Sequence, residues 1–427
     1  MLDINFIREN PDKVKKVCEA KGIDLNIDKL LSLDQTRRKM IQESETLRFE
    51  QKKLGKQDIE KAKEIKEKFK KIKEGLKQVT EEYKELMFLV PNIYSDDTPV
   101  GKDEKENKEI YKSGKIPKFN FPIKNHIELV KDLNLADFEK GTKVSGFRGY
   151  FLKNELALLQ IALIMYSVQK MVDKGFEFMI PPTLLKEFVL FGSGHFPTGK
   201  QDVYQVANPG KLADGSSVKE PLFLAGTSEP PLLAYFSDKV FKEKDLPIKV
   251  CGFSQCYRSE IGSYGKDTKG LYRLHEFMKV EHIVLCKNDN KESDGWLEKM
   301  RKNSEEVVKD LKLPYRVLQI CTGDMGDGKR KMYDIESWIP SRNAYGETHS
   351  ASNTSDWQSR RLNIKYKTSK GEIKYVHALN DTVIAAPRIL ISILECYQQK
   401  DGSVKIPKVL QKYLGFNKIT NRDVRNK

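Results

Sequence analysis

Residues 256–281 read CYRSEIGSYGKDTKGLYRLHEFMKVE. CGFSQCYRSE (251–260) has the texture of a strand, LYRLHEFMKVEHIVLC (271–286) that of a returning strand, and the glycine-rich stretch between them makes the loop of a hairpin. Basic Arg258, Lys266, Lys269, Arg273 and Lys279 stand among acidic Glu260, Asp267, Glu276 and Glu281, with Phe277 near the end. An arginine at the end of the outgoing strand can grip a phosphate through two parallel hydrogen bonds, which lysine cannot do as rigidly. Glu260 can accept from an amino group on a purine edge, and Phe277 can stack on a base. Taken singly, each also has a plain structural role: Arg258–Glu260 as a surface pair, Phe277 as core. Together on one hairpin they favour a nucleotide site. Neither GxxxxGK[ST] nor GxGxxG occurs, so the site is of neither common type.

Working outward, FEFMI (176–180), PLFLA (221–225), IKVCGFS (248–254), HIVLC (282–286) and RLNIKY (361–366) read as strands. Their succession lacks a regular βαβ alternation, which predicts an antiparallel sheet and an α+β class for this region. Upstream, Leu30 to Leu89 is helical in period. Ile59, Ala62, Ile65, Phe69, Ile72, Leu76, Val79, Tyr83 and Leu86 form one seam, and Leu30, Leu33, Met40, Ile41, Leu47 and Leu54 form another, with Gly55 offering a turn. That pattern predicts an antiparallel coiled-coil hairpin (about 28–90), whose arms of about 28 residues would extend on the order of 40 Å. Eleven lysines between Lys52 and Lys77 face five acids, Asp58, Glu60, Glu64, Glu67 and Glu74. Such a surface is either a solvated coiled-coil face or one that follows a phosphate backbone. VPNIYSDDTPVGKDEKENKEI (90–110) reads as a linker, dividing the chain into 1–110 and 111–427.

The chain has 427 residues, enough for two domains, and carries 76 basic against 61 acidic side chains, a net +15 that favours an anionic partner. Six dispersed cysteines form no CxxC pair, which argues against structural zinc and for a reducing compartment. MLDINFIRENPDKVKK has no apolar core of a signal peptide. The apolar run Leu156–Val168 falls short of the roughly 20 residues that span a bilayer. A soluble, cytoplasmic protein with no membrane partner is expected.

In order along nearly the whole chain, the motifs resemble those of the seryl-tRNA synthetases, a class II aminoacyl-tRNA synthetase family. The quoted hairpin (about 251–286) resembles motif 2, GFEFMIPP (175–182) motif 1, and GTSEPPL (226–232) the amino-acid-binding loop. ETHSASNTSDWQSRRLNIKY (347–366) resembles the segment before motif 3, HALNDTVIAAPRILISILECYQ (377–398) motif 3, and the helical hairpin the family's tRNA-binding arm.

The resemblance implies a serine–tRNA ligase that forms seryl-adenylate from ATP and L-serine and passes the seryl group to the terminal ribose of a serine tRNA. Whether a selenocysteine tRNA is also charged stays open. Arg258 and Arg388 would be catalytic, on the α- and γ-phosphates. Glu260 would read the adenine amino group, Leu274, His275, Glu276 and Phe277 would form the adenine pocket, and Glu347, Thr348, His349 and Ser350 would complete the ATP site. Glu347 and Ser350 would hold Mg²⁺, a hard cation suited to oxygen ligands. Thr227, Ser228, Glu229, Arg258, Glu281, Asn380 and Thr382 would bind serine, and the enzyme would be a homodimer. Three positions depart from the family's usual pattern: Pro230, Asp381 and Pro387. Asp381 either adds a carboxylate beside the serine hydroxyl or points away. A relative that charges a carrier protein would lack the arm, and a non-catalytic RNA-binding relative would have lost Arg258, Glu260, Glu347 or Arg388.

Overall fold

The computed structural model describes residues 1–54, 58–208, 210–261 and 269–421. They form two compact units, Met1–Ile93 and Tyr94–Lys427.

The first unit is helical: α1 (Ile4–Glu9), α2 (Pro11–Ala20), α3 (Ile27–Lys53) and α4 (Ile59–Leu89). Asn26 opens α3 by accepting from the Lys29 amide at 2.9 Å, satisfying a donor that has no partner within the helix. Arg37 covers Tyr83, Met40 reaches Gly75 and Arg48 covers Phe69, pairings that run in opposite directions along the two helices. The hairpin is therefore antiparallel, as the two seams predict. A side chain at Gly75 would meet only the terminal methyl of Met40, Cε, at 2.8 Å. Asp34, buried within the unit, is held by Arg8 at 2.7 Å and Arg38 at 3.1 Å. Burying a carboxylate is costly unless it is so paired. The turn expected at Gly55 lies outside the described residues.

The second unit is built on an eight-stranded sheet: β1 (Lys108–Ser113), β2 (Glu177–Met179), β3 (Ile248–Tyr257), β4 (Glu276–Cys286), β5 (Tyr315–Gln319), β6 (Lys331–Ile339), β7 (Ala344–Asn353) and β8 (His377–Ala385). Their spatial order is β1-β5-β6-β7-β8-β4-β3-β2. All neighbours are antiparallel except β2 and β3 at one edge. Its helices include α5 (Asn154–Asp173), α6 (Glu229–Ala234), α7 (Asn290–Asp310), α8 (Trp357–Leu362) and α9 (Ala386–Cys396). Val280, Val284, Leu379 and Val383 on one face of the sheet share a core with Leu159 and Leu163 of α5, Leu297 and Met300 of α7, and Ile389 and Ile393 of α9. Each such buried aliphatic side chain contributes about 1.5–3 kcal/mol. The opposite face is left for the site.

Three expectations need correction. The compact units divide at Ile93, whereas the sequence reading puts the boundary at 110. The reason is that Ser95, Pro99 and Gly101 already bond to the second unit, and residues 108–110, read as linker, open β1, which pairs with β5. In RLNIKY, Arg361 and Leu362 close helix α8, and only Lys365 and Tyr366 are strand, because the segment begins with the end of a helix whose apolar face is buried. Helix α5 has 20 residues, longer than the apolar run suggested and long enough to span a membrane, but 56% of its apolar window is buried in the protein.

Candidate active site

Strands β3 and β4 pair with Cys256 opposite Phe277, Ser254 opposite Lys279 and Gly252 opposite Glu281. Alternation along β4 puts Phe277, Lys279 and Glu281 on one face. On β8, Thr382 stands opposite Glu281, and Asn380 lies two residues away on the same side. A bulge at Thr348 shifts β7 by one residue, so that Glu336 pairs with Glu347 while Asp334 pairs with Ser350. The shift brings Glu347 onto the face that carries Ser350. These side chains line one cavity of 230 Å³, which shares Arg258, Glu260, Glu347 and Arg388 with an adjoining cleft of 590 Å³.

One end of the cavity is built around two buried carboxylates. Glu281 Oε2 lies 2.5 Å from Lys279 Nζ and accepts from Thr382 at 3.3 Å and Thr227 at 3.5 Å. Lys279 also donates to the Thr227 hydroxyl at 3.1 Å. Glu229, at the start of α6, accepts from Gln358 at 2.6 Å and Asn380 at 3.0 Å, with Lys329 at 3.8 Å. Burial pushes the Glu281 carboxyl above its ordinary range despite Lys279. For Glu229 burial pushes the same way, but Lys329 and its other partners hold it below the ordinary value. Two acids in one pocket with opposite shifts mark a candidate functional site.

The other end is cationic and aromatic. The Arg258 guanidinium lies over the Phe277 ring at 5.4 Å, and its Nε donates to the Gly226 carbonyl at 3.2 Å. Glu260, in the left-handed region at φ 54°, is paired with Arg148 at 3.6 Å and Arg273 at 3.5 Å. Arg388, in the first turn of α9, lies over Tyr272 at 4.8 Å and pairs with Glu347 at 3.0 Å. Burial raises the Glu347 carboxyl pKa, but Arg388, with help from Arg258 and Lys279, holds it below the ordinary range. Leu274 is buried in the cavity wall.

Other expected residues are placed less directly. The His275 ring packs edge-on against Phe147 and Tyr204, with Nδ1 2.9 Å from the Arg258 carbonyl oxygen, and Glu276 is exposed and accepts from Gln255. Neither lines the cavity. Ser228 donates to the Gly252 carbonyl at 3.2 Å, also outside the cavity lining. Thr348 and His349 line the cavity, but the Thr348 hydroxyl donates to the Ile335 carbonyl and His349 Nε2 meets the Val383 carbonyl at 3.1 Å. Burial pushes the His349 imidazole down to about 4.

The three departures resolve simply. Pro230 and Pro387 sit in the first turns of α6 and α9, where no intrahelical amide partner is needed. Asp381 points to the helix-packed face, against His282 and Ser304. Lys266 lies outside the described residues, and Lys269 is exposed.

Sequence reasoning gave no role to Lys279, although its place midway between Phe277 and Glu281 on a strand puts it on their face. Lys329 and the half-buried His195 also line the cavity, from segments without a motif.

For a magnesium ion, Glu347 offers an anionic carboxylate and Ser350 a hydroxyl. Beside them Asp334, pushed well above its ordinary range by burial and by Glu347, keeps one oxygen, Oδ1, without a hydrogen-bond partner among the described residues. Among those residues no cluster of three or more His, Cys, Asp or Glu could hold a metal alone. The donor set thus fits an ion that arrives with phosphates, because Mg²⁺ usually binds through one or two carboxylates plus substrate phosphates.

Residues 1–94 match the family profile described as the seryl-tRNA synthetase N-terminal domain, and residues 211–397 that of the tRNA synthetase class II core domain (G, H, P, S and T). The chain is 39% identical to a serine–tRNA ligase of Deinococcus radiodurans, over the full length of both. It resembles the crystal structure of seryl-tRNA synthetase from Pyrococcus horikoshii complexed with ATP, with a TM-score of 0.88 and 36% identity over 99% of this chain and all of that one. A cytoplasmic serine–tRNA ligase from Naegleria fowleri in complex with AMP superposes with a TM-score of 0.86 and 32% identity, over 99% of each chain.

Proposed function

This chain belongs to the seryl-tRNA synthetase family and is a serine–tRNA ligase, and we propose that its cavity divides the reaction among the residues named above. One observation supports the reading best: Glu229, Glu281, Arg258, Glu347 and Arg388 line a single cavity, acids for an ammonium at one end and arginines for phosphates at the other. Serine lies between Glu229 and Glu281, with Thr227, Asn380 and Thr382 around it. The adenine stacks on Phe277, between that ring and Arg388, with Glu260 accepting from its amino group. Glu347 and Ser350 would hold a magnesium ion, which would neutralise phosphate charge.

The serine carboxylate attacks the α-phosphorus, a P–O bond forms, and the bond to pyrophosphate breaks. A terminal ribose hydroxyl of tRNA then attacks the adenylate carbonyl, the acyl–phosphate bond breaks, and AMP leaves as the hydroxyl proton is released. A carboxylate nucleophile is already ionised, so the first step needs no general base. Positioning and charge stabilisation by Arg258 and Arg388 therefore supply most of the acceleration. Arg388, paired with Glu347, exchanges one anion for another when it meets the γ-phosphate.

Glu281→Ala tests the serine end. It removes the partner of Lys279, Thr227 and Thr382 and should cost ~2–3 kcal/mol, expressed mainly as a raised serine KM, with ATP binding in the absence of serine unchanged. Loss of ATP affinity with an intact serine response would reverse the assignment of the two ends.

The partners follow the same reading. The basic hairpin α3–α4 takes the serine tRNA, and the reaction runs in the cytoplasm, where the six free cysteines stay reduced. The working form is a homodimer. Leu158, Ile161 and Met165 are 55%, 45% and 54% exposed on one face of α5, and Ile180, just past β2, is 72% exposed. A contiguous apolar patch of this kind marks an interface. Sedimentation should give about twice the 49.2 kDa chain mass. An active monomer at nanomolar concentration would contradict the dimer.

A further inference from the structure

Behind the serine end of the cavity lies a second polar cluster. Asp381 and His282 stand directly opposite each other on β8 and β4, both fully buried on the helix-packed face of the sheet. His282 Nε2 is 3.2 Å from Asp381 Oδ2. Ser304 of α7 places its hydroxyl 2.7 Å from the same oxygen and 2.9 Å from the Thr382 carbonyl oxygen, so a single proton is shared between them. On the other side, His282 Nδ1 lies 3.2 Å from the Met171 sulfur of α5, and the imidazole stacks on Phe176 at 5.0 Å.

Every member is tied to a residue of the serine pocket. His282 follows Glu281 in the chain, Asp381 stands between Asn380 and Thr382, and Ser304 bonds the Thr382 backbone. The surrounding layer is aliphatic, with Val280, Val284, Leu379 and Val383 in it. Apolar packing is non-directional, whereas the Ser304 hydroxyl reaches both Asp381 and the Thr382 carbonyl, and the imidazole lies beside the carboxylate, in only a few arrangements. Because successive strand residues point to opposite faces, fixing 381 and 282 on one side fixes 380, 382 and 281 on the other.

We propose that the Asp381–His282–Ser304 cluster is a positioning element for serine recognition. This rests on the reading of Glu281, Asn380 and Thr382 as the serine pocket. None of the three touches substrate. They hold the strands that do, and through Met171 they join the pocket to α5.

The test uses full-length Asp381→Gly, Asp381→Asn and Ser304→Ala, with Glu281→Gln as a marker, all normalised to adenylate-forming sites. Asp381→Gly and Ser304→Ala should raise the serine KM about tenfold, the scale of a small misplacement of binding groups, and leave the ATP KM unchanged. Asp381→Asn, which keeps an oxygen for Ser304, should restore most of the wild-type serine KM. A serine KM per site that stays unchanged while only the melting temperature falls would overturn the proposal, as would equal rises in both KM values. If Asp381→Gly does not fold, Ser304→Ala gives the same decision. An unchanged serine KM in Glu281→Gln strikes the pocket assignment itself. A Glu281 effect without an Asp381 or Ser304 effect strikes only the positioning role.

Discussion

Arg258→Ala should slow adenylate formation by ~10²-fold or more, the scale of losing one preorganised contact to developing charge. The α-phosphorus becomes five-coordinate in the transition state, and its equatorial oxygens carry more charge there than in bound ATP. A guanidinium placed for that geometry therefore stabilises the transition state beyond the ground state. Arg258 is held for this role by the Gly226 carbonyl at 3.2 Å and by the face of Phe277. The ATP KM should change far less than kcat, and single-turnover formation of seryl-adenylate measures the two separately. Arg258→Lys should recover little, because an ammonium lacks the planar fork that matches two phosphate oxygens. A variant that lost ATP binding and kept its rate at saturation would assign Arg258 to binding alone.

The second large effect belongs to the helical hairpin. Lys61, Lys63, Lys66, Lys70, Lys73 and Lys77 of α4 are exposed. Six such cations facing a phosphate backbone release counterions on binding, so affinity depends steeply on both charge and salt. Replacing all six with glutamate should reduce kcat/KM for tRNA charging by at least ~10²-fold and flatten its salt dependence. Serine-dependent pyrophosphate exchange should persist, because every residue lining the cavity belongs to the second unit. Charging that survives the six changes would leave the lysines as a solvated face.

The readability of this chain varied with the range of the signal. The seam Ile65–Phe69–Ile72–Leu76 repeats over many turns, so the α3–α4 hairpin was legible, and the structure differs from expectation by only a few residues at its ends. The β3–β4 hairpin was legible because its charges, glycines and aromatic occur within one short segment. The orientation of Asp381 was implicit in alternation: if Asn380 and Thr382 face the pocket, the residue between them faces away. Other features were not local. The bulge at Thr348 that turns Glu347 toward the cavity leaves no mark in composition. Lys329 and His195 reach the site from loops with no motif of their own, and Arg148 meets Glu260 across more than a hundred residues of sequence. His275 and Glu276 were expected in the adenine pocket by their place in the motif, yet the hairpin turns their side chains elsewhere.

The central claim is that this one cavity activates serine. ATP–pyrophosphate exchange, measured with serine, threonine and alanine in turn, tests it most directly. Serine should support rapid exchange. Alanine lacks the hydroxyl and threonine adds a methyl group to a pocket closed by Thr227, Glu281 and Thr382, so both should support far less. Exchange that is absent with serine, or equal with all three amino acids, would contradict the account.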